Sequence, residues 1–499
     1  MSAFNIDELN ALGINITRLT SDSRSVQRGD TFVAYRGLQS DGRNYIAQAI
    51  ERGANAVIWE AQEFKWNSEW HVPNLAVHDL RHRAGLIADR VYGHPSRKLW
   101  MVGVTGTNGK TSISHWLART YTALGRKGAV LGTLGNGFPG ALQATANTTP
   151  DALIVHALLA EYERQDAKTV AMEVSSHALA QGRVNGVNFD VALLTNLTRD
   201  HLDFHGDMQS YAAAKRRLFD WENLKHAVLN LDDAFGAELA GQLQDKPVEV
   251  VGYGLTRESL DLAERLGIRM VYGTLTQMDA QGLMLQLHTS WGAAAMQSKL
   301  LGRFNASNLL GALAVLLVSE VGIDDAAREL GQQKAVAGRM QALGGKDTPT
   351  VVVDYAHTPD ALEKVLNTLR EVTEPSGGRV ICVFGCGGDR DRGKRPMMGM
   401  VASKFADMRI VTNDNPRNED PHEIINAIIA GMQGDFQVIE DRAKAIAFAI
   451  SKAQFNDTVL LAGKGHEDYQ EIRGERKPFS DSEIAHRALS MWTPEERWI

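Results

Sequence analysis

Residues 101–120, MVGVTGTNGKTSISHWLART, have the pattern of a strand, a loop of Gly and Thr, and the start of a helix. Backbone N–H groups in such a loop, and the N-terminus of the helix after it, bind phosphate oxygens. In this interpretation Lys110 reaches the outer phosphates and the Thr111 hydroxyl is a ligand to Mg2+. The spacing departs from the standard phosphate loop, because Val104 stands where a glycine is expected. An ordinary glycine-rich turn is therefore the alternative for this stretch taken alone.

The composition is that of an ordinary globular protein. Hydrophobic residues make up 44%, charged residues 23%, and the net charge is -7, which argues against disorder and against a basic surface for nucleic acid. The start has no signal-peptide pattern, and the most apolar stretch, 309–318, is about half the ~20 residues of a membrane span. Cys382 and Cys386 cannot complete a zinc site, and so few cysteines suit a reducing compartment. We expect a cytoplasmic protein with no membrane segment.

The chain of 499 residues is too long for one core, and its changes of pattern predict three α/β domains. Residues 1–92 predict a smaller α/β domain with short strands and helices. GHPSRK at 93–98 is typical of a linker, and a central domain with a P-loop ATPase-type parallel sheet is predicted over 93–337. GRMQALGGKDTP at 338–349 predicts a hinge at the start of a C-terminal domain, 338–499.

The C-terminal domain repeats apolar strands followed by helices or polar loops, which is typical of a Rossmann-like parallel sheet covered on both faces. Loops after the carboxyl ends of parallel strands share one edge, where ligands bind. Four polar loops are predicted to meet at that edge: DYAHTPD (354–360), GCGGDRDRGKRP (385–396), NDNPRNEDP (413–421) and AGKGHEDYQ (462–470).

Three further side chains of the central domain are candidates for catalysis. Glu173 ends an apolar strand, His201 follows another, and Lys215 lies on an alanine-rich helix. Taken alone, the first two are ordinary polar side chains at strand ends and Lys215 is a surface lysine. Because they follow a phosphate loop in the same domain, Glu173 and His201 could supply an oxygen and a nitrogen ligand to a catalytic metal.

Six motifs in order resemble those of the Mur ligase family, the ATP-dependent enzymes that add amino acids to the peptidoglycan precursor. They are TGTNGKT (105–111), MEVSSH (172–177), TNLTRDHLDFHG (195–206), FNASN (304–308), GRM (338–340) and VVDYAHTPD (352–360). DNPR at 414–417 resembles the amino-acid signature of the members that add meso-diaminopimelate to UDP-N-acetylmuramoyl-L-alanyl-D-glutamate. The resemblance implies an amide ligase that acts on the γ-carboxylate of D-Glu through an acyl phosphate. It implies ATP as co-substrate, Mg2+ as cofactor and these two substrates as partners, and we expect a monomer.

The resemblance also implies roles for residues at matching positions. Lys110, Glu173, His201 and Lys215 would be catalytic, and the metal ligands would be Thr111, Glu173, His201 and an N-carbamylated Lys215. ATP would contact Gly106, Thr107, Asn108, Gly109, Lys110, Thr111, Asn305, Arg339 and Asp354. The UDP-substrate would contact Ser21, Ser23, Leu38, Gln39, Ser40, Asn147, Thr148, Thr149, Ser175, Gln181 and Arg183. Diaminopimelate would contact Arg390, Asp414, Asn415, Pro416, Arg417, Gly463 and Glu467.

The chemistry of the amino acid agrees with the last of these sets. Diaminopimelate differs from lysine by one carboxylate, and Arg417 or Arg390 can bind a carboxylate through a bidentate fork. Asp414 and Glu467 could bind the ammonium of the amino-acid end, and Gly463 allows close approach of the backbone. The alternative is that the arginines serve ATP or a structural ion pair.

Three other classes of protein share part of the pattern. A folylpolyglutamate-type ligase shares the chemistry but is not expected to carry DNPR with the basic loop at 385–396. A P-loop kinase or phosphohydrolase would explain the phosphate loop without needing a third domain. A nucleotide-gated binding protein would have no need for the intact set of Lys110, Thr111, Glu173 and His201.

Overall fold

The structure is a computed structural model, which describes residues 13, 15–37, 40–145, 147–279, 282–345 and 347–493. The chain forms two compact units: one runs to Tyr272 and includes Thr289–Trp291 and Leu310–Ala326, and the other holds Gly273–His288, Gly292–Leu309 and the chain from Ala327. Across the described residues, no helix has both the length and the apolarity to span a bilayer.

The first sheet of the first unit is small and parallel, with the strands in chain order. Its strands are β1 (Leu19–Thr20), β2 (Thr31–Ala34), β3 (Ala56–Glu60) and β4 (Asn74–Val77), and its helices are α1 (Ile46–Glu51) and α2 (Leu80–Val91). The carboxylate of Glu60 accepts a hydrogen bond from Leu80 N at 2.7 Å, so the end of β3 caps the start of α2. The predicted smaller α/β region is confirmed.

The second sheet of this unit contains the phosphate-loop strand. Its strands are β5 (Trp100–Thr105), β6 (Gly128–Gly132), β7 (Gly135–Phe138), β8 (Ala141–Gln143), β9 (Thr169–Glu173), β10 (Val191–Leu194), β11 (His226–Asn230), β12 (Glu249–Gly254) and β13 (Arg269–Asp279). From β12 the order is β12-β11-β10-β5-β9-β6-β7-β8. The strands from β12 to β6 pair in parallel, and β7 and β8 are added antiparallel.

Helices pack around this sheet. They are α3 (Lys110–Ala123), α4 (Ala152–Arg164), α5 (Ser176–Gln181), α6 (Leu202–His205), α7 (Met208–Arg216), α8 (Ala234–Gln242) and α9 (Arg257–Leu266). Two further helices, α10 (Arg303–Val318) and α11 (Ile323–Gly331), each have residues in both units. Because β5 lies between β9 and β10, Val104 pairs with Glu173 and Thr105 with Leu194. The phosphate loop and the residues after β9 and β10 therefore leave the sheet side by side.

The second unit contains β14 (Gly282–Thr289) and β15 (Gly292–Ser298), which continue from β13, and a six-stranded sheet in the order β16-β17-β21-β18-β19-β20. The sheet strands are β16 (Gln341–Gly344), β17 (Thr350–Asp354), β18 (Val380–Phe384), β19 (Met408–Val411), β20 (Gln437–Val438) and β21 (Thr458–Ala462), and a hairpin of β22 (Tyr469–Ile472) and β23 (Glu475–Pro478) follows. The helices are α12 (Pro359–Thr373), α13 (Lys394–Phe405), α14 (Pro421–Ile429), α15 (Arg442–Ser451) and α16 (Asp481–Ser490).

The two faces of this sheet are buried under separate apolar clusters, one built with residues of α12 to α14 and the other with residues of α15 and α16. The predicted parallel sheet covered on both faces is thus confirmed, except that β16 is antiparallel to β17.

Three local predictions need correction. The predicted linker 93–98 contains a 3-10 helix, Pro95–Lys98, with Pro95 and Ser96 buried. The predicted hinge 338–349 contains edge strand β16, because a short strand at a sheet edge needs little apolar pattern of its own. The basic loop after β18 ends where α13 begins at Lys394. The domain boundaries proposed from the sequence stay predictions.

Candidate active site

The glycine loop after β5 is held by the segment that follows β10. Gly106 has φ +143°, and a Cβ there would lie 1.8 Å from Thr195 Oγ1, so only glycine fits. Thr195 Oγ1 donates to Asn108 O at 2.5 Å. Thr107 N donates to Asn196 O at 2.9 Å. The loop is therefore preorganised by residues nearly ninety positions away along the chain.

Lys110 is the first residue of α3, directly after Gly109, whose φ is +88°. Its Nζ donates to Gly106 O at 2.8 Å and to Thr107 O at 2.9 Å. The ammonium thus lies over the loop beside the positive end of the helix, where an anionic phosphate is stabilised by both.

Glu173 is completely buried at the end of β9. Its carboxylate accepts hydrogen bonds from Thr111 Oγ1 at 2.9 Å, from Thr133 Oγ1 at 3.0 Å and from Thr133 N at 2.8 Å. A Cβ at Gly132 would lie 2.2 Å from Glu173 Oε1, so this glycine makes room for the carboxylate. The oxygens of Thr111 and Glu173 lie together next to the phosphate loop, and this donor set fits Mg2+, which prefers oxygen ligands.

Lys215 lies on α7 and is 1% exposed. Its Nζ donates to Gly106 O at 2.8 Å and lies 4.6 Å from the centre of the Tyr211 ring. Burial lowers the pKa of Lys215 well below its ordinary value, the nearby charge of Lys110 lowers the pKa further, and Asp200 raises it. The interpretation as a surface lysine is therefore wrong, because the side of α7 that carries Tyr211, Ala214 and Lys215 is buried.

His201 precedes α6 and has φ +53°. Its Nε2 lies 3.4 Å from Asp200 Oδ2, and its ring contacts those of His177 and Tyr211. Its side chain is 47% exposed. Within the described ranges, no group of three or more His, Cys, Asp or Glu side chains could hold a metal ion, so Glu173 and His201 are not part of such a cluster.

Several residues predicted to contact the UDP-substrate form one network beside Glu173. Thr149 Oγ1 donates to Glu173 O at 2.7 Å and lies 3.2 Å from Ser175 Oγ. Arg183 donates to Thr149 O at 2.9 Å and to Gln181 Oε1 at 2.8 and 3.0 Å. Burial lowers the pKa of Arg183. A series of hydrogen-bonded polar groups, which includes the Arg183 cation, thus extends to the backbone of Glu173.

The remaining predicted contacts to the UDP-substrate are more scattered. Thr148 Oγ1 accepts a hydrogen bond from Thr133 at 3.1 Å, and Asn147 is exposed. Ser23 Oγ donates to Gln48 at 2.6 Å. A further group contains Ser21, Tyr35 and Asp151, with Tyr35 OH donating to Asp151 Oδ2 at 2.6 Å. Ser40 is exposed, and Leu38 and Gln39 lie outside the described residues.

The residues of the second unit that are predicted to contact ATP are Asn305, Arg339 and Asp354. Asp354 ends β17 and accepts hydrogen bonds from Met340 N and Ala356 N, both at 2.8 Å. Burial raises the pKa of Asp354, and Arg339 opposes this shift. The Arg339 guanidinium lies 4.6 Å from the centre of the Tyr355 ring. Asn305 is buried on α10, and its Nδ2 donates to Leu301 O at 2.8 Å.

All four predicted polar loops meet at the carboxyl edge of this sheet, and the first is joined to the second by a hydrogen bond from Lys394 Nζ to His357 O at 2.9 Å. Asn415 Nδ2 donates to Glu467 Oε2 at 2.8 Å. Arg417 has φ +50° and donates from NH1 to Gly388 O at 2.8 Å. A Cβ at Gly463, where φ is +117°, would lie 3.5 Å from Asp414 Oδ2. Pro416 lies at the same edge, close to the backbone of Gly388: a Cβ at Gly388 would lie 2.0 Å from the Pro416 carbonyl oxygen.

A half-buried carboxylate organises the basic loop at this edge. Glu419 accepts hydrogen bonds from Arg395 at 2.9 and 3.1 Å and from Asp389 N at 2.6 Å, and Arg392 lies 3.0 Å away. The hydrogen bonds from Arg395 are the largest cause that lowers the pKa of Glu419 to about 2. Arg390, in contrast, is exposed and donates to Asp389 O at 3.1 Å. Arg392 is exposed as well, whereas Arg395 is buried.

Comparisons with known proteins cover almost the whole chain. Residues 15–92 match the Mur ligase family catalytic domain, 104–316 the Mur ligase middle domain, and 338–465 the Mur ligase glutamate ligase domain. The chain belongs to the Mur ligase family.

Several relatives within the Mur ligase family are named UDP-N-acetylmuramoyl-L-alanyl-D-glutamate--2,6-diaminopimelate ligase. The protein of that name from Chromobacterium violaceum is 53% identical over 489 residues, which is 97% of this chain and 96% of the relative. The protein from Nitrosomonas europaea is 49% identical over 491 residues, 96% of this chain and 94% of the relative. A solved structure with the same name is 36% identical, covers 95% of both chains and has a TM-score of 0.69.

Family membership confirms the resemblance inferred from the motifs, whereas the roles of individual site residues stay predictions. Sequence reasoning missed Thr133 and Asn196, which hold Glu173 and the phosphate loop, because each is an ordinary polar residue in the chain. It also missed Lys464, which is completely buried among the residues of the DNPR edge. The motif TNLTRDHLDFHG already contained Asn196 and could have pointed to it.

Proposed function

We propose that this chain is an ATP-dependent ligase that joins meso-diaminopimelate to the D-Glu γ-carboxylate of UDP-N-acetylmuramoyl-L-alanyl-D-glutamate. The observation that carries the proposal is the near full-length likeness to relatives named for this reaction. The DNPR edge, where Asp414, Asn415, Arg417 and Glu467 come together, supports it from the structure.

The first half of the proposed reaction activates the carboxylate. A carboxylate is a poor acyl donor because its leaving group would be oxide, so its oxygen first attacks the γ-phosphorus of ATP and ADP leaves. Lys110, at the positive end of α3, would neutralise charge on the transferring phosphoryl group. Thr149, Ser175, Gln181 and Arg183 would orient the dipeptide so that its carboxylate lies in line with ATP.

Mg2+ would be held by Thr111 and Glu173, with His201 and a carbamylated Lys215 as further ligands. When bound, the ion would supply charge neutralisation on the phosphate oxygens. Lys215 has the properties that carbamylation needs: burial lowers the pKa of its amine, and the neutral amine is the form that attacks CO2. Carbamylation would convert a buried ammonium that repels the metal into an anionic oxygen ligand.

The second half of the reaction forms the amide. The neutral amine of diaminopimelate attacks the acyl carbon, the C–O bond to phosphate breaks, and inorganic phosphate leaves with that oxygen. Asp414, Glu467 and Arg417 would bind the charged groups of the amino acid and so hold its amine in position. Asn305, Arg339 and Asp354 would contact ATP. Since both ATP and a UDP-sugar are consumed, we place the reaction in the cytoplasm.

Product analysis tests the proposal. The purified chain is incubated with ATP, Mg2+, the UDP-dipeptide and either meso-diaminopimelate, lysine or no amino acid, and the products are measured by mass spectrometry. We expect one tripeptide product whose formation needs diaminopimelate and ATP. Formation of ADP without any amino-acid adduct would instead indicate a kinase or hydrolase.

A further inference from the structure

Lys464 is a completely buried lysine in the loop that follows β21. Its Nζ donates to Asn415 Oδ1 at 2.9 Å and to Glu467 Oε2 at 3.1 Å, and lies 3.6 Å from Asp414 Oδ1. The rings of Tyr469 and Phe479 lie 5.6 and 5.9 Å away. One ammonium therefore contacts residues of two of the loops at the DNPR edge.

The contacts of Lys464 decide which oxygens are left for a ligand. Glu467 Oε2 accepts from both Lys464 and Asn415, at 3.1 and 2.8 Å, and this fixes the orientation of the carboxylate. Among the described residues, the buried Asp414 Oδ1 has no hydrogen-bond partner and lies within ion-pair distance of Lys464. This carboxylate oxygen is thus left without a hydrogen bond from the protein's own donors.

A buried lysine is costly, because the desolvation of its charge must be offset by its partners. A purely structural role at this position could be filled by an apolar side chain at lower cost. The carboxylates of Asp414 and Glu467, however, would repel each other without a cation between them.

We propose that Lys464 is the positioning residue of the amino-acid subsite. Its ammonium lies between the carboxylates of Asp414 and Glu467 and holds Asn415 against Glu467, so that both carboxylates are oriented to receive the ammonium of the incoming amino acid. This inference rests on the proposed function, because the ammonium in question is that of diaminopimelate.

The test compares the kinetic constants of the wild type and Lys464→Met. We expect the KM for diaminopimelate to rise about tenfold or more, as for the loss of a charge-assisted contact, while the KM values for ATP and the UDP-dipeptide stay unchanged. Lys404→Met, an exposed lysine of the same unit, is the matched control and should leave all three KM values unchanged.

A second variant keeps the inference testable if Lys464→Met does not fold. Asn415→Asp retains the acceptor for Lys464 but replaces the donor to Glu467 with a second carboxylate oxygen. We expect the same rise in the KM for diaminopimelate. An unchanged KM for diaminopimelate in the folded variants, or KM values that rise equally for all three substrates, would overturn the positioning role. If the wild type itself forms no diaminopimelate adduct, the proposed function fails, and this inference fails with it.

Discussion

Replacement of Arg417 by alanine should reduce the preference for diaminopimelate over lysine. The Arg417 side chain is 17% exposed, and its Nε lies 3.6 Å from Glu471 Oε2. Its NH1 donates a hydrogen bond to Gly388 O at 2.8 Å. The other N–H groups of the guanidinium remain to bind a substrate carboxylate. A hydrogen bond between charged groups in such a partly buried site contributes about 1.5–3 kcal/mol, and every 1.4 kcal/mol is about tenfold. We therefore expect the ratio of kcat/KM for the two amino acids to fall by about 10- to 150-fold.

The assay measures kcat/KM for meso-diaminopimelate and for lysine in the wild type and in Arg417→Ala. The wild type should prefer diaminopimelate by up to ~10^4-fold, since lysine leaves the cation of a desolvated site unpaired. Arg409→Ala is the matched control. Arg409 lies near the amino end of β19, away from the carboxyl edge that carries Arg417, and it donates hydrogen bonds to backbone carbonyls. If Arg417 is only a structural partner of Glu471, its loss will lower the melting temperature and leave the ratio unchanged. That result would refute the reasoning.

Three further predictions follow from the contacts described. Lys110→Ala and Thr111→Ala should each lower kcat by about 10^2- to 10^3-fold, with little change in the KM for the UDP-dipeptide; steady-state kinetics that show unchanged turnover would place the nucleotide elsewhere. Intact mass of the native protein should show a carbamate on Lys215, and Lys215→Ala should be nearly inactive; full activity of that variant would contradict the metal-ligand role. Arg395 is the main cause that lowers the pKa of the Glu419 carboxyl from 4.5 to about 2. This carboxylate should therefore stabilise the fold fully above pH 4.5 and lose that effect as the pH falls toward 2. The melting temperature of Glu419→Gln should be lower than that of the wild type at pH 7, and the difference should disappear in acid.

Local pattern was enough to predict the fold class and the edges where the candidate sites lie. The strands Thr169–Glu173 and Thr350–Asp354 have apolar residues at 170–172 and 351–353. Their carboxyl ends had to carry the polar loops because parallel strands end at one edge. The motif TGTNGKT similarly located the phosphate loop, and the structure adds that Gly106 is needed because Thr195 lies against it.

Contacts between residues far apart in the chain were beyond local pattern. Lys215 has the sequence surroundings of a surface lysine, and only the packing of α7 against Gly106, 109 residues away, buries it. Strand β16 forms because its neighbour β17 offers an edge. Lys464 looks like an ordinary polar residue in a glycine-rich loop until Asn415, 49 residues earlier, is placed beside it. In each case the deciding partner is set by tertiary packing, which no short window of sequence contains.

The central claim, amide formation through an acyl phosphate, is tested most directly with 18O in both oxygens of the D-Glu γ-carboxylate. The wild type is incubated with this substrate, ATP and meso-diaminopimelate, and the tripeptide product and the inorganic phosphate are both measured by mass spectrometry. The account predicts one 18O in each phosphate released and one retained in the new amide of the diaminopimelate adduct. Phosphate without label, or label in phosphate with no adduct, would contradict it.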